Sequence, residues 1–334
     1  MIDEILYMIQ NDFPMKKKPF KTIAKKFGIT QKEIISIIKE KKKQKIIRQI
    51  SAIFDTKSLG YKSSLVAFKI DKSNIKKAIL LINSHPGVSH NYERDHSFNI
   101  WFTIAISSNS NFELEDTVKL LAKLTNAKDY ILLPTLKMFK IAVKLDTTGK
   151  KDKKELFKNH KKIDIKLTPL HYELIKDLQY DIPIISEPFK KIISKHNISY
   201  TKLFQIIDEL KKSGIMRRFS AILYHRNVGF NANAMVVWEL KDIDPIKAGK
   251  LASKFRAVSH CYLRPKYKNW PYTLFTMIHG KTNEDTQLVI DEINKQIDAK
   301  SYIPLYSSRE FKKVRLEYFS NKEQKWEKTY QFES

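Results

Sequence analysis

One cysteine, Cys261, stands in a chain of 334 residues. No disulfide can therefore close within it, and no cysteine-built zinc or iron–sulfur centre either. Glycine is scarce, 8 residues beside 11 prolines, which argues against a disordered chain and against a glycine-lined nucleotide fold. No apolar run is long enough to span a bilayer, and the N-terminus lacks the pattern of a secretory signal. These absences together fit a reducing cytoplasm. Acidic residues are also few, 36 against 62 Lys and Arg, for a formal net charge of +26. Such a field attracts polyanions: nucleic acid, or a small molecule with many carboxylates. Most of the excess is lysine on polar helix faces, a pattern that solvated helices also carry. Hydrophobic residues, 42 % of the chain, suffice for packed cores, and the length suggests two or three domains.

What is present is a duplication. Phe20-Lys21-Thr22-Ile23 matches Phe189-Lys190-Lys191-Ile192, and Arg48-Gln49-Ile50-Ser51-Ala52-Ile53 matches Arg217-Arg218-Phe219-Ser220-Ala221-Ile222, both at an offset of 169 residues. Gly60-Tyr61 matches Gly229-Phe230 at the same offset. Val88-Ser89-His90, Tyr92 and Arg94 match Val258-Ser259-His260, Tyr262 and Arg264 at 170. Phe102-Thr103 then pairs with Phe275-Thr276, and Phe139-Lys140 with Phe311-Lys312. Matches in constant order with a slowly growing offset mean two copies of one module with small loop insertions.

Each copy predicts the same elements. Ile2, Ile5, Leu6 and Ile9 have helical spacing, and Phe20, Ile23, Ala24 and Phe27 give a second helix stopped by Gly28. Thr30 with Glu33 forms a capping box ahead of Ile34, Ile35, Ile37 and Ile38. Thr168-Pro169 and Ser199 mark helix starts in the second copy. Three short helices of this kind make a helix-turn-helix unit. The β-rich runs Ile46 to Phe54 and Ile215 to Tyr224 predict a wing hairpin in each. The rest reads strand 62–70, helix 72–83, strands 87–94 and 98–106, helix 112–125 and strand 130–144. In the second copy it reads strand 232–240, helix 243–254, strands 257–264 and 270–279, helix 283–297 and strand 302–316. The order βαββαβ is ferredoxin-like. The fold class is thus α+β, a tandem repeat of a winged helix-turn-helix and a ferredoxin-like domain. The expected boundaries are 1–60 and 61–145 for copy one, 146–166 for a Lys-rich linker, 167–229 and 230–319 for copy two, and 320–334 for a polar tail.

A helix-turn-helix followed by βαββαβ resembles the leucine-responsive regulators, which bind DNA and small effectors. Lys32, Lys39, Lys41, Lys42, Lys43 and Lys45 lie on or just after the third helix and suit phosphates. Base readers are scarce there: Gln31 and Gln44 are the candidates, and no arginine joins them. In the second copy Asp208 and Glu209 sit among Lys202, Lys211 and Lys212, a poor balance for the major groove. Two unequal units also lose the two-fold symmetry that palindromic sites require. DNA regulation, with a tetrapyrrole as effector, is the alternative reading, and nucleic acid is the less favoured partner.

The residues kept between copies are not mainly core residues. His90, Tyr92 and Arg94, like His260, Tyr262 and Arg264, alternate along a strand and so share a face. Such a face suits an anionic aromatic ligand; a buried polar network between copies would use the same residues. Around them run His90-Asn91-Tyr92-Glu93-Arg94-Asp95-His96 and Trp101-Phe102-Thr103. The second copy has Cys261-Tyr262-Leu263-Arg264-Pro265, Trp270-Pro271-Tyr272, Met277-Ile278-His279-Gly280, His225-Arg226 and Asn233 to Trp238. These runs, spread over nearly the whole chain, resemble the siroheme decarboxylase family. Its members are paired proteins on the leucine-responsive regulator scaffold, sometimes fused in one chain, as the two halves here imply.

The resemblance implies a carboxy-lyase that removes CO₂ from two acetate side chains of siroheme to give didecarboxysiroheme, on the way to haem d1 or to haem. It implies no organic cofactor and no metal held by the protein itself, since the iron arrives with the substrate; an axial histidine to that iron remains open. A substrate with many carboxylates asks for arginine forks, and Arg48, Arg94, Arg217, Arg218 and Arg264 are the candidates, with Tyr92 and Tyr262 as hydrogen-bond donors. Decarboxylation leaves an electron pair that must be protonated, so an acid titrating near neutrality is needed. His90 and His260 lead as catalytic residues, with His96 and His225 behind them. Trp101, Trp270 and Phe98 suit either the macrocycle wall or packed core. Where copy two has Arg217-Arg218 and His225-Arg226, copy one has Arg48-Gln49 and Thr56-Lys57, so copy two is expected to build most of the pocket. The fused halves form a pseudo-heterodimer, and a homodimer of the chain is a further option.

Overall fold

A computed structural model describes residues 1–141, 163–224, 232–280 and 282–330. Most of the expected linker, and both His225 and Arg226, lie outside the described residues.

Copy one supplies α1 (Ile2–Asn11), α2 (Pro19–Phe27), α3 (Gln31–Lys43) and β1 (Ile47–Phe54), then β2 (Lys62–Lys69), α4 (Ile75–Ser84), β3 (Val88–Arg94), β4 (Ile100–Ile106), α5 (Leu114–Leu124), β5 (Asp129–Pro134) and β6 (Lys137–Ile141). Copy two supplies α6 (Pro169–Leu178), α7 (Lys190–His196), α8 (Tyr200–Lys212) and β7 (Met216–Leu223), then β8 (Ala232–Glu239), α9 (Pro245–Ser253), β9 (Val258–Leu263), β10 (Leu274–Gly280), α10 (Asn283–Ile297), β11 (Ser301–Lys313) and α11 (Lys322–Tyr330). The predicted caps are in place. Thr30 Oγ1 accepts from Glu33 N while the Glu33 carboxylate accepts from Thr30 N, Pro169 opens α6, and Ser199 Oγ accepts from Lys202 N.

The chain forms two compact units, each drawing on both copies. The first, residues 1–59 and 163–224, holds both helix-turn-helix segments. Here the expectation of a wing hairpin in each copy needs correction. Each copy contributes one strand, and β1 pairs with β7 antiparallel, from Ile47 opposite Leu223 to Phe54 opposite Met216. A lone strand leaves its backbone groups unpaired, and the sister copy satisfies them. The exchange is reciprocal at an offset of 169: Phe13 N donates to Phe219 O, and Ile182 N donates to Ile50 O. Phe13, Phe20, Phe189 and Phe219, all fully buried, form one aromatic cluster from both copies. Some of the polar side chains considered for DNA are engaged here: Lys42 pairs with Asp181, and Gln44 bonds Lys41 and Glu40.

The second unit, residues 60–141, 232–280 and 282–330, is a nine-stranded sheet in the order β5-β2-β4-β3-β11-β8-β10-β9-β6. The long strand expected over 130–144 is broken. β5 ends at Pro134, which has no N–H for a ladder, and the chain resumes as β6 on β9 of the other copy. Its sister β11 stays continuous but also changes partner, from β8 over Ser301–Tyr306 to β3 beyond Ser307. Each copy thus completes the other's sheet. Lys140 Nζ donates to Phe255 O, and Lys312 Nζ to Asn83 O and His85 O, so matching lysines satisfy carbonyls at or just beyond the C-terminal ends of α9 and α4.

Pairing also refines the repeat. His90 faces Thr103, and His260 faces Met277. Trp101, not Phe102, is therefore the counterpart of Phe275, and the match drawn from Phe102-Thr103 slips by one residue. Trp101 and Phe275 share the cluster on the helix-free face, with Ala67, Phe98, Ile131, Leu133, Met235, Val237, Trp270 and Leu305. Two further cores lie under the helices, one per copy. Gly249 of α9 lies against the Phe139 ring, where an added Cβ would clash. Gly249→Ala should cost about 1–3 kcal/mol in urea unfolding, and a neutral result would mean that Phe139 does not sit there.

The polar stretch after Phe319 is not a plain tail. Helix α11 buries Trp326 in the copy-one core, against His85 at a ring separation of 4.4 Å. His85 accepts from Gly87 N, and burial, helped by the Lys312 charge, pushes its pKa down to about 3. Its folded value lies below the ordinary one, so the unfolded chain takes up the proton first. Stability should fall as pH drops from about 6.5 toward 3. The variant His85→Phe, which copies Phe255 of the second module, should flatten that slope in urea unfolding across this range; an unchanged slope would count against a neutral buried His85.

Candidate active site

β3 and β9 carry the same irregularity. Val88 pairs with Ile104 and His90 with Thr103, while Val258 pairs with Ile278 and His260 with Met277. Ser89 and Ser259 are therefore the extra residues of two matching bulges, which re-aim the side chains beyond them. Asn91 and Cys261 turn to the helix side, where Asn91 Nδ2 donates to Asn83 Oδ1 and Cys261 joins the core. The triplets alternate with them on the opposite face, as their spacing predicts. Each bulge serine holds the next residue's imidazole: Ser89 Oγ lies 3.0 Å from His90 Nδ1, and Ser259 Oγ lies 2.7 Å from His260 Nδ1.

Within each triplet the rings and the cation are layered. His90 and Tyr92 lie 6.2 Å apart, His260 and Tyr262 6.1 Å. The Arg94 guanidinium lies 5.7 Å from the Tyr92 ring, and that of Arg264 lies 5.1 Å from Tyr262 and 5.3 Å from Phe275. Both arginines are buried, 5 % and 8 % exposed. Arg94 Nη1 donates to Leu305 O at 2.6 Å, and Arg264 Nη1 donates to Leu133 O, so each binds the backbone of the other copy. Neither forms an ion pair among the described residues, and each Nε is buried without a partner. Burial brings both pKa values down to about 10, which leaves them cationic at neutral pH. A buried cation without an anion is costly, and a polycarboxylate would relieve it. Each guanidinium thus lies against the ring of its own tyrosine.

The other candidates are spread more widely. His96 follows β3, accepts from Phe98 N at 3.0 Å, and packs edge-on against Trp270 at 5.6 Å; burial, partly offset by the Asp95 charge, lowers its pKa. Trp101, Trp270 and Phe98 are packed core. Arg48, Arg217 and Arg218 belong to the first unit, on β1 and β7. Arg217 is committed to Asp55, through Nε at 3.1 Å and Nη2 at 2.6 Å. Burial works against the Asp55 carboxylate, yet Ser58 and Arg217 hold it below its usual range. A surface depression of about 470 Å³ opens along Lys119 to Tyr130, and no candidate residue lines it. No cluster of three or more His, Cys, Asp or Glu that could hold a metal occurs among the described residues. Nor is any described helix long and apolar enough to cross a membrane.

Two family models each match the chain twice. The siroheme decarboxylase NirDL-like HTH domain covers residues 3–48 and 172–217, and the AsnC-like ligand binding domain covers 58–140 and 227–312. The siroheme decarboxylase of Hydrogenobacter thermophilus is 39 % identical over 330 residues, 97 % of this chain and 96 % of that protein. The chain belongs to the siroheme decarboxylase family. A crystal structure of the siroheme decarboxylase NirDL superposes with a TM-score of 0.80 at 34 % identity, covering 98 % of this chain and 97 % of that one. Another, in co-complex with an iron-uroporphyrin III analogue, superposes at 0.79. Among siroheme decarboxylases made of separate subunits, the beta subunit of Methanosarcina barkeri is 41 % identical over 142 residues, 42 % of this chain and 93 % of that protein. The alpha subunit of Desulfovibrio desulfuricans is 34 % identical over 142 residues, 42 % of this chain and 79 % of its own length. The present chain is thus similar to both subunit types and carries two modules in one polypeptide.

Sequence reasoning missed His279. Its ring joins Ser259, and the run Met277-Ile278-His279-Gly280 was its one signal.

Proposed function

We propose that this chain is a siroheme decarboxylase, removing CO₂ from two acetate side chains of siroheme to give 12,18-didecarboxysiroheme. The observation that carries this is the full-length kinship, joined to a site whose chemistry suits it. The product would feed haem d1 or haem formation, and the iron would come with the substrate, with no further cofactor.

The chemistry rests on named residues. An acetate carboxylate leaves as CO₂ and its bonding electrons pass to the methylene and the adjoining pyrrole. One proton must then arrive at that carbon to make a methyl group. His260 and His90 supply it, because a positioned, partly exposed imidazole can take up a proton and deliver it. Tyr92 and Tyr262 sit beside these imidazoles as hydrogen-bond donors to substrate carboxylates. Arg94 and Arg264 provide positive charge from behind, where the scarcity of water strengthens it. His96 stays a secondary acid. The protein works in the cytoplasm, as one chain or as a homodimer, without nucleic acid as a partner.

Anaerobic incubation with siroheme, with product mass as the readout, tests the reading. A loss of two CO₂ units per macrocycle is expected. Confirmed binding without mass loss would leave a carrier, not an enzyme.

A further inference from the structure

The two modules hold their histidines differently. In copy one, Ser89 Oγ lies 3.0 Å from His90 Nδ1 and 2.8 Å from Thr103 Oγ1, a hydroxyl that does not titrate near neutrality. In copy two, Ser259 Oγ lies 2.7 Å from His260 Nδ1 and 2.5 Å from His279 Nε2, and His279 Nδ1 bonds Asn233 Oδ1. The difference is one of sequence at matched positions. His279 N donates to Ala257 O as Ala105 N donates to Gly87 O, both at 3.0 Å. Asn233 faces His279 as Ser63 faces Ala105. Copy one therefore has Ser63 and Ala105 where copy two has Asn233 and His279.

Resting on the decarboxylase reading, we propose that His279 is the proton source behind His260, acting through Ser259. An amide oxygen only accepts, so His279 Nδ1 carries a hydrogen. In the charged state His279 Nε2–H donates to Ser259 Oγ, the Ser259 hydroxyl donates to His260 Nδ1, and His260 carries its hydrogen on Nε2. As His260 Nε2–H gives its proton to the carbon that has lost CO₂, the serine hydrogen passes to His260 Nδ1 and the His279 Nε2 hydrogen passes to Ser259 Oγ. Three bonds to hydrogen break, at His260 Nε2, Ser259 Oγ and His279 Nε2, and three form, at the carbon, His260 Nδ1 and Ser259 Oγ. His279 is left neutral, with its hydrogen on Nδ1. A proton from solvent then recharges the partly exposed His279 at Nε2. Exchange with solvent returns His260 from its Nδ1–H to its Nε2–H form, and rotation of the serine hydroxyl restores the starting state. His279 is thus a positioning residue, and it makes copy two the module equipped to resupply protons.

The test uses the full chain under anaerobic turnover with siroheme. His279→Gln and Ser259→Ala should each lower kcat by about 10- to 100-fold and leave KM for siroheme unchanged, with melting profiles like that of the parent. His279→Ala should regain part of its kcat when imidazole is added. A parental kcat in folded His279→Gln, or His279→Ala without rescue by imidazole, would overturn the relay. Absence of product from the parent chain would instead overturn the decarboxylase reading on which it rests.

Discussion

His260→Ala should abolish most siroheme turnover, lowering kcat by about 10²- to 10⁴-fold, the range that a positioned acid contributes. His90→Ala should fall short of that. Both imidazoles share a bulge, a serine and a tyrosine, but the serine beside His260 reaches a second histidine where the serine beside His90 reaches Thr103. Stability should hardly change in either variant, because both side chains are partly exposed and neither belongs to a hydrophobic cluster. Anaerobic product analysis beside urea unfolding separates the two effects. Equal losses of activity and stability in His260→Ala would mark it as structural, and a larger loss in His90→Ala would move the chemistry to copy one.

Trp326→Ala should destabilise the fold by about 3–5 kcal/mol, the usual result of emptying a buried indole site. The indole packs on His85 and on Tyr330, 4.7 Å between rings, and its Nε1 donates to Ser84 Oγ at 2.9 Å. On the same helix, Glu323 accepts from Ser107 N, and Glu327 accepts from Asn111 N and Asn111 Nδ2. Burial raises the Glu323 pKa, opposed by its bonds from Ser107. The helix therefore fastens the loop between β4 and α5, and losing its anchor exposes the copy-one core. A change below about 1 kcal/mol in urea unfolding would show that α11 is peripheral.

Much of this architecture is legible in the sequence because it rests on local signals. Thr30 and Glu33, Thr168-Pro169 and Ser199 mark helix starts whatever the rest of the chain does. The alternation of His90, Tyr92 and Arg94 fixes a shared face once the segment is a strand. What stayed hidden depends on partners far along the chain. Ile47–Phe54 shows a strand, but nothing in it says that Met216–Leu223 is its neighbour. Pro134 and Pro304 look alike in sequence, yet the first ends a strand and the second lies within one. The bulges at Ser89 and Ser259 hide because a bulge shifts register without changing composition.

The candidate site was legible to the same depth. The triplets were found because duplication preserved them. That Arg94 and Arg264 grip carbonyls of the opposite copy, and that Arg217 is held by Asp55, are matters of geometry. His279 escaped notice because copy one has alanine at the matched position, Ala105, so the repeat gave no second example. The charge of +26 pointed to a polyanion without naming it; kinship to enzymes of siroheme supplies the name.

A crystal structure of this chain with siroheme bound is the most direct measurement. It should place an acetate-bearing carbon of the macrocycle within reach of the imidazole of His260 or of His90, with Tyr262 or Tyr92 on a carboxylate. A macrocycle bound with both histidines distant from every acetate would contradict the account.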